Sequence, residues 1–450
     1  MSHQLLPLRD LKSRVLEEAQ TSPLIGAFAS DDSLSYLFLK PAGVYDLAAI
    51  VDGDASSCAA EWPLLAWDER EMHDERNIAF AGYPQPDPVV TGRGLTTVVV
   101  GPVHAGIIEP GRFTFTTSGE VVVNLEAQLQ FSRRGVERRL EGLDAIAAAR
   151  SIARICGGCS VSRSWSYARA LEAIAGVTCD RSAELARVVL AELERLYNHL
   201  FDLASACSGA GFARGQMEGL RLKERVQRLC AQQGGHRFLF DTIVPGGVSE
   251  SVLFERPALR SDVRALHGEI EAYGASLFAT SSLVGRFERA GTVSAEVARA
   301  FGAVGPTSRA SDGIIDVRVF SPYGAYGELQ PVVATAREGD VSARVRVKYR
   351  EALESLRLID CVLEELGSAR IANPHAIEPR NGHSIVATEG PRGAEITCVD
   401  VVEGRLHRLH VISASFRNWP IVVRAMEGNI IPDFPLVNKS FNLCYACADR

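Results

Sequence analysis

Ser182-Ala-Glu-Leu-Ala-Arg-Val-Val-Leu-Ala-Glu-Leu-Glu-Arg-Leu-Tyr-Asn-His-Leu-Phe-Asp-Leu-Ala-Ser-Ala206 carries one apolar stripe. Leu185, Val189, Leu193, Leu196, Leu200 and Leu203 recur at spacings of three and four, so they share one helical face. Residues 341–366 repeat the pattern with Val345, Tyr349, Ala352, Leu356, Ile359, Leu363 and Leu366, and Gly367 supplies the stop. Two helices of roughly seven turns with narrow stripes predict a bundle. Met217–Gln232 and Ala258–Phe278 are expected to add two more.

Outside the helices the pattern turns to strands. Thr96–Val100, Arg112-Phe-Thr-Phe-Thr-Thr117 and Val121–Phe131 read as a small antiparallel sheet. Ser384–Thr388, Ala394–Val402 and Leu406–Ser413 form a second β-rich part. At the start, a helical pattern over Leu8–Ala19 precedes a strand at Ser35–Leu39. Gly82-Tyr-Pro-Gln-Pro-Asp-Pro88 carries alternating prolines, cannot continue a helix or a central strand, and reads as a linker. The expected fold class is α+β: a central long-helix bundle with small flanking β-sheets (residues 95–450), preceded by a small α/β domain (residues 1–90).

With 450 residues, 46% hydrophobic, the chain can bury a large core. A net charge of −7 without a long basic run points away from nucleic acid. The most apolar stretch, Ala145–Ile155, is broken by Arg150 and Arg154, so no membrane span is expected. The N-terminus has no basic region followed by an apolar core, so no secretory signal is expected. Ten cysteines then suggest a reducing cytoplasm. Cys58, Cys179, Cys207, Cys230, Cys361 and Cys398 stand singly and read as small buried apolar residues.

The other four form two Cys-x-x-Cys pairs, Cys156-Gly-Gly-Cys159 and Cys444-Tyr-Ala-Cys447. Only a folded core could unite pairs so far apart. Four converging thiolates suit a soft metal. Structural zinc, a redox dithiol and a catalytic soft-metal centre all remain open on spacing. Zinc ribbons place their pairs closer, and a thioredoxin-like dithiol needs one pair in a βαβ setting. The first pair precedes a helical segment, Ser162–Ala175, whose N–H groups are expected to stabilise thiolate charge.

Arg154-Ile-Cys-Gly-Gly-Cys159, followed by Ala170-Leu-Glu-Ala-Ile-Ala-Gly176, resembles the first nickel motif of NiFe-hydrogenase large subunits. Cys444-x-x-Cys447-x-x-Arg450 resembles the second. Gly101-Pro-Val-His-Ala-Gly-Ile-Ile-Glu109-Pro-Gly-Arg-Phe113, Leu193-Glu-Arg-Leu-Tyr-Asn-His199, Gly235-His-Arg237 and Pro391-Arg392-Gly393 narrow the likeness. Together they are similar to the energy-converting, complex-I-related, formate-hydrogenlyase-like type. Trp62-Pro through Glu71-Met-His-Asp74 more weakly resembles the complex I small subunit fused ahead of such large subunits.

This resemblance implies a Ni-Fe centre with Fe(CN)2CO. Cys156 and Cys444 would be terminal nickel ligands, and Cys159 and Cys447 would bridge to iron. Glu109, expected to be partly buried, would carry the proton away from the Cys444 sulfur; the plainer reading pairs it with Arg112. Arg392 would be suspended over the open metal position rather than merely anchoring a turn. Glu137, in Arg134-Gly-Val-Glu137, would stand beside the metal. His104 and His199 are expected to be satisfied structural histidines. Trp419-Pro420 and Asn438–Phe441 would position a final strand leading to the last cysteines. Arg163 stands where the family has a histidine bonded to a bridging sulfur, so it would donate but never accept. Gly158 replaces a branched residue and is expected to open the site, Asn442-Leu443 replaces Asp-Pro, and the end at Arg450 resembles a processed form.

The implied activity is reversible H2 formation and oxidation. No ferredoxin-type cysteine run is present, so electrons would leave through an iron-sulfur small subunit with a 4Fe-4S cluster. A ferredoxin-like subunit, complex-I-like integral membrane subunits, and nickel maturation proteins with an endopeptidase would be further partners. The implied location is peripheral, on the inner face of the cell membrane. The alternatives are a complex I quinone-site or coupling subunit, and a non-catalytic scaffold with structural zinc.

Overall fold

The structure, a computed structural model, describes residues 2–30, 33–84, 94–104, 109–368 and 370–450. Its axis is the helix Arg181–Gly209. Ala213–Gly234 and Val341–Leu366 pack along it, and Arg256–Ala279 packs on the latter. These are the four expected helices. The Val341–Leu366 boundaries follow from local chemistry: Asp340 Oδ1 accepts from Ala343 N at 2.8 Å, and Gly367 closes the helix at φ +48°.

The stripe Leu185–Leu203 is buried as expected, but so are Glu192, Glu194, Arg195, Asn198, His199 and Asp202 on the other faces. A helix buried all round must pair its polar groups internally. Those pairs organise the site.

Leu95–Val100, Arg112–Ser118 and Val121–Gln128 form an antiparallel sheet; the last strand stops before Phe131, where Gln130 turns at φ +68°. Gly382–Gly390, Gly393–Val402 and Arg405–Ile412 form a second antiparallel sheet, bulged between Asp400 and Val401. At the N-terminus, Ser2–Leu6, Gly43–Ile50, Ser33–Lys40 and Leu24–Ala29 lie in that spatial order, the first pair parallel and the others antiparallel. They enclose a separate apolar cluster with the helices Leu8–Glu18 and Ala66–Arg76, including Val15, Leu34, Phe38, Leu47 and Met72. The fold is α+β. In the proline-rich linker only Gly82–Pro84 are described; Gln85–Pro88 lie outside the described residues.

The expected final strand is instead helical. Ala414–Ala425, Phe434–Phe441 and Tyr445–Asp449 are helices. Leu436, Val437, Ser440 and Phe441 share one buried helical face, and Asn442 ends the turn at φ +52°, a conformation asparagine tolerates. Among the described residues, no helix is long and apolar enough to cross a membrane.

Candidate metal centre

The two Cys-x-x-Cys pairs meet beside the central helix. Cys156 Sγ lies 3.3 Å from Cys444 Sγ, and Cys159 Sγ lies 3.9 Å from Cys447 Sγ, each pair 288 positions apart in sequence. Cys159 and Cys447 are buried; Cys156 and Cys444 are half-buried. Cys156 and Cys444 face a cavity of about 600 Å³, shared with Glu109, Asn198, Tyr197 and Arg392. Hydrogen bonds from Cys159, Cys444 and Cys447 hold Cys156 well below the usual thiol range. Donation to Cys156 pushes Cys159 and Cys444 up. Buried thiols so close repel as thiolates, and a soft cation among them removes that conflict.

Cys159 caps the helix Ser160–Ala175, but the first amides of that helix do not serve sulfur. Val161 N and Ser162 N donate to the Glu194 carboxylate at 2.6 and 3.0 Å. Burial nevertheless pushes Glu194 up to about 7. The sulfurs take their own loop amides: Gly158 N to Cys156 at 3.2 Å, and Cys447 N to Cys444 at 3.4 Å.

Successive turns of the central helix build the rest. Arg195 donates to the carbonyls of Glu389 and Gly390 at 2.7 and 2.9 Å, holding the strand end before the two-residue turn Pro391-Arg392. Arg392 Nη1 donates to Asn198 Oδ1 at 3.1 Å and lies 3.8 Å from Cys159 Sγ; Nε donates to Asn442 O at 2.6 Å. Asp202 Oδ1 lies 4.0 Å from Arg392 Nη2, and Asp202 Oδ2 pairs with Lys348 Nζ at 2.7 Å. Lys348 also donates to the carbonyls of Ser440 and Phe441 at 2.9 and 3.0 Å, which ties down the chain before Cys444.

Glycine governs two approaches. A Cβ on Gly158 would stand 3.0 Å from Asn198 Oδ1 and 3.4 Å from Arg392 Nη1. The missing side chain is filled by the Asn198–Arg392 pair. Gly305, at φ +63°, lets its backbone close on Arg392, whose carbonyl oxygen would stand 2.3 Å from an added Cβ.

Arg163 is buried beside Glu395, at 3.1 Å. Nη2 makes that ion pair, and none of the three guanidinium nitrogens has a well-aligned hydrogen bond among the described residues. Burial opposes its charge; Glu395, Cys447 and Cys159 sustain it.

Two expected positions need correction. Glu109 is exposed at the cavity rim, not partly buried, because it sits on a loop between strands. Glu137 is buried without touching the sulfurs. It accepts from Val411 N at 2.7 Å and faces His410 at 3.6 Å and Arg450 at 3.5 Å. His104 contacts Gly111 O at 2.7 Å and His199 contacts Glu351 at 2.9 Å, both as structural histidines. Trp419 packs on Tyr445, ring centroids 4.9 Å apart, and so steadies the helix of Cys447. Sequence reasoning missed Glu194, Asn198, Asp202 and Lys348. The available signal was charge within otherwise core-forming helices.

Residues 210–380 match the family described as the respiratory-chain NADH dehydrogenase 49 kDa subunit. The chain is similar to hydrogenase-4 component G of Escherichia coli, 26% identical over 92% of this chain and 72% of that protein. Formate hydrogenlyase subunit 5 of the same bacterium is 29% identical over 78% of this chain; the match spans 63% of that protein's length. The fold is shared with a chain from the structure of the membrane-bound sulfane sulfur reductase, an archaeal respiratory membrane complex. There the TM-score is 0.73 at 23% identity, over 81% of this chain and 100% of that one. The likeness to large subunits of energy-converting, complex-I-related hydrogenases thus extends along most of the chain.

Proposed function

We propose that the chain is the catalytic large subunit of a membrane-associated NiFe-hydrogenase, catalysing H2 ⇌ 2H⁺ + 2e⁻. The observation that carries this reading is the convergence of both Cys-x-x-Cys pairs beneath a fixed guanidinium. The donor set suits a Ni-Fe centre: four sulfurs are soft ligands, and the Cys156, Cys444 and Cys447 sulfurs all lie within 4.8 Å of one another. In this reading Cys156 and Cys444 would hold the nickel, and Cys159 and Cys447 would hold the nickel together with an iron bearing two cyanides and one CO. Such a centre, when bound, would supply the two-electron chemistry.

The chain's own residues supply the rest. Arg392 is held by Asn442 O and Asn198 Oδ1, so its charge is fixed over the sulfurs before substrate arrives. The Cys444 sulfur holds the proton, and Glu109, on the same cavity, passes it to water. Arg163, ion-paired with Glu395, sets a fixed positive charge near Cys159 and Cys447. Glu137 keeps a more distant role, fixing Arg450. Electrons leave through an iron-sulfur small subunit with a 4Fe-4S cluster. A ferredoxin-like subunit, complex-I-like membrane subunits and nickel maturation proteins complete the assembly, which we place peripherally on the inner face of the cell membrane. We further divide the chain at the proline-rich linker, into residues 1–90 and 95–450.

The 49 kDa match favours one other reading, a complex I quinone-site subunit. A quinone site has no use for two converging cysteine pairs. The test is metal analysis with infrared spectroscopy on protein purified with its partners from its native host. Nickel and iron near 1:1 in this subunit, with CO and cyanide stretches, is the expected result. Zinc or no metal, without those bands, overturns it.

A further inference from the structure

The segment Trp62–Asp74 resembles a family signature, yet none of its residues reaches the sulfurs. Most of it forms the helix Ala66–Arg76, and one face of that helix grips the elements that carry Cys444 and Cys447. Trp67 packs edge-on against Phe416, ring centroids 5.6 Å apart. Asp68 accepts from Arg417 Nη1 at 2.7 Å, both residues being buried. Glu71, one turn on, accepts from the guanidinium of Arg450. Phe416 and Arg417 belong to the helix Ala414–Ala425, whose first turn holds the cysteine loop: Ser415 Oγ accepts from Cys444 N at 3.0 Å, and Ser413 Oγ donates to Cys447 O at 3.0 Å.

Arg450 follows the Tyr445–Asp449 helix directly. Its carbonyl accepts from Arg134 N and Gly135 N at 3.1 and 3.0 Å, and its guanidinium lies 5.0 Å from the Phe416 ring. At 3% exposure the guanidinium pairs with two carboxylates, Glu137 of the main body and Glu71 of the N-terminal part, and Glu75 adds negative charge nearby. A buried cation that loses a counter-charge is strongly destabilised, so the helix end is only as firm as both anchors.

We propose that Glu71 is a positioning residue for Cys444 and Cys447, and that the N-terminal part braces the C-terminal half of the sulfur cluster through Glu71–Arg450 and Asp68–Arg417. The brace stands whichever metal the sulfurs hold; only its metal readout rests on the function proposed above. Glu69, in the same helix, faces the opposite way and accepts from Cys58 N at 2.8 Å, so it serves the N-terminal core instead.

The test is hydrogen exchange by mass spectrometry, with nickel retention under chelator, on the native-host complex carrying Glu71→Gln or Asp68→Asn. Glu61→Gln is the control, an N-terminal carboxylate whose partner is Lys12 at 2.9 Å. For Glu71→Gln, amides of 445–450 are expected to exchange about tenfold faster and nickel to be lost faster, while 160–175 and the N-terminal strands stay at wild-type rates. Asp68→Asn is expected to loosen 414–425 and 444–447. Exchange at 445–450 within about twofold of wild type overturns the brace. So does exchange that rises only within the N-terminal strands. A wild-type complex without nickel refutes the hydrogenase reading, while the exchange result still decides the brace.

Discussion

Replacing Arg392 by lysine keeps one positive charge and removes the fork. Arg392 directs Nε to Asn442 O at 2.6 Å and Nη1 to Asn198 Oδ1 at 3.1 Å, and presents the same Nη1 to Cys159 Sγ at 3.8 Å. A lysine ammonium is a point donor and cannot serve divergent acceptors with the same rigidity. One charge-assisted hydrogen bond is lost, worth about 1.5–3 kcal/mol. If that bond fixes the charge for the reaction, the rate falls about 10- to 150-fold. The fold is spared, because Asp202 keeps Lys348 at 2.7 Å and no buried carboxylate is stranded. The assay is H2/D⁺ exchange by the native-host complex, normalised to nickel. Exchange within about threefold of wild type at equal nickel refutes the assignment of Arg392 to the reacting position.

Three further outcomes are expected. Glu109→Gln abolishes H2/D⁺ exchange while nickel and iron stay bound; unchanged exchange removes Glu109 from the proton route. Gly158→Val presses on Asn198 and Arg392, at the 3.0 and 3.4 Å approaches of an added Cβ. It should cost about 1–3 kcal/mol in denaturant unfolding and release Arg392 from Asn198. Glu351 is pushed up by burial but pulled down further by Arg309, at 2.9 Å, and His199, to about 2 against an ordinary 4.5. Its contribution, about 3 kcal/mol, is present above pH 4.5 and is lost as pH falls toward 2; Glu351→Gln should remove that part of the acid transition followed by circular dichroism.

The sequence announced its helices wherever local rules sufficed. Val341–Leu366 was legible because its stripe and its glycine stop are both local. The sulfur convergence was legible only as two spacings, and the roles of Glu109 and Arg392 came through family likeness. What stayed hidden was long-range. Glu194 takes the helix amides expected to serve sulfur, because a buried carboxylate from another helix reaches them first. Lys348 and Asp202 lie within helical segments whose apolar stripes read as ordinary core. The last segment read as a strand because its turn at Asn442 depends on contacts to Asp202 and Arg392 that no local pattern encodes. Glu109 was expected partly buried and is exposed, since its position follows from where its loop ends rather than from its neighbours in sequence.

The distance in sequence between the two cysteine pairs has a consequence for the order of events during biosynthesis. Cys156 and Cys159 emerge from the ribosome long before Cys444 and Cys447, and the helices around Arg181–Gly209 can pack in the interval. Until residue 447 is free, two of the four sulfurs lack their partners, and Asp202 and Lys348 lack the segment that they hold in the folded chain. A metal held by all four sulfurs would therefore be enclosed only after translation. The final segment seats last, and only then do all four sulfurs stand together.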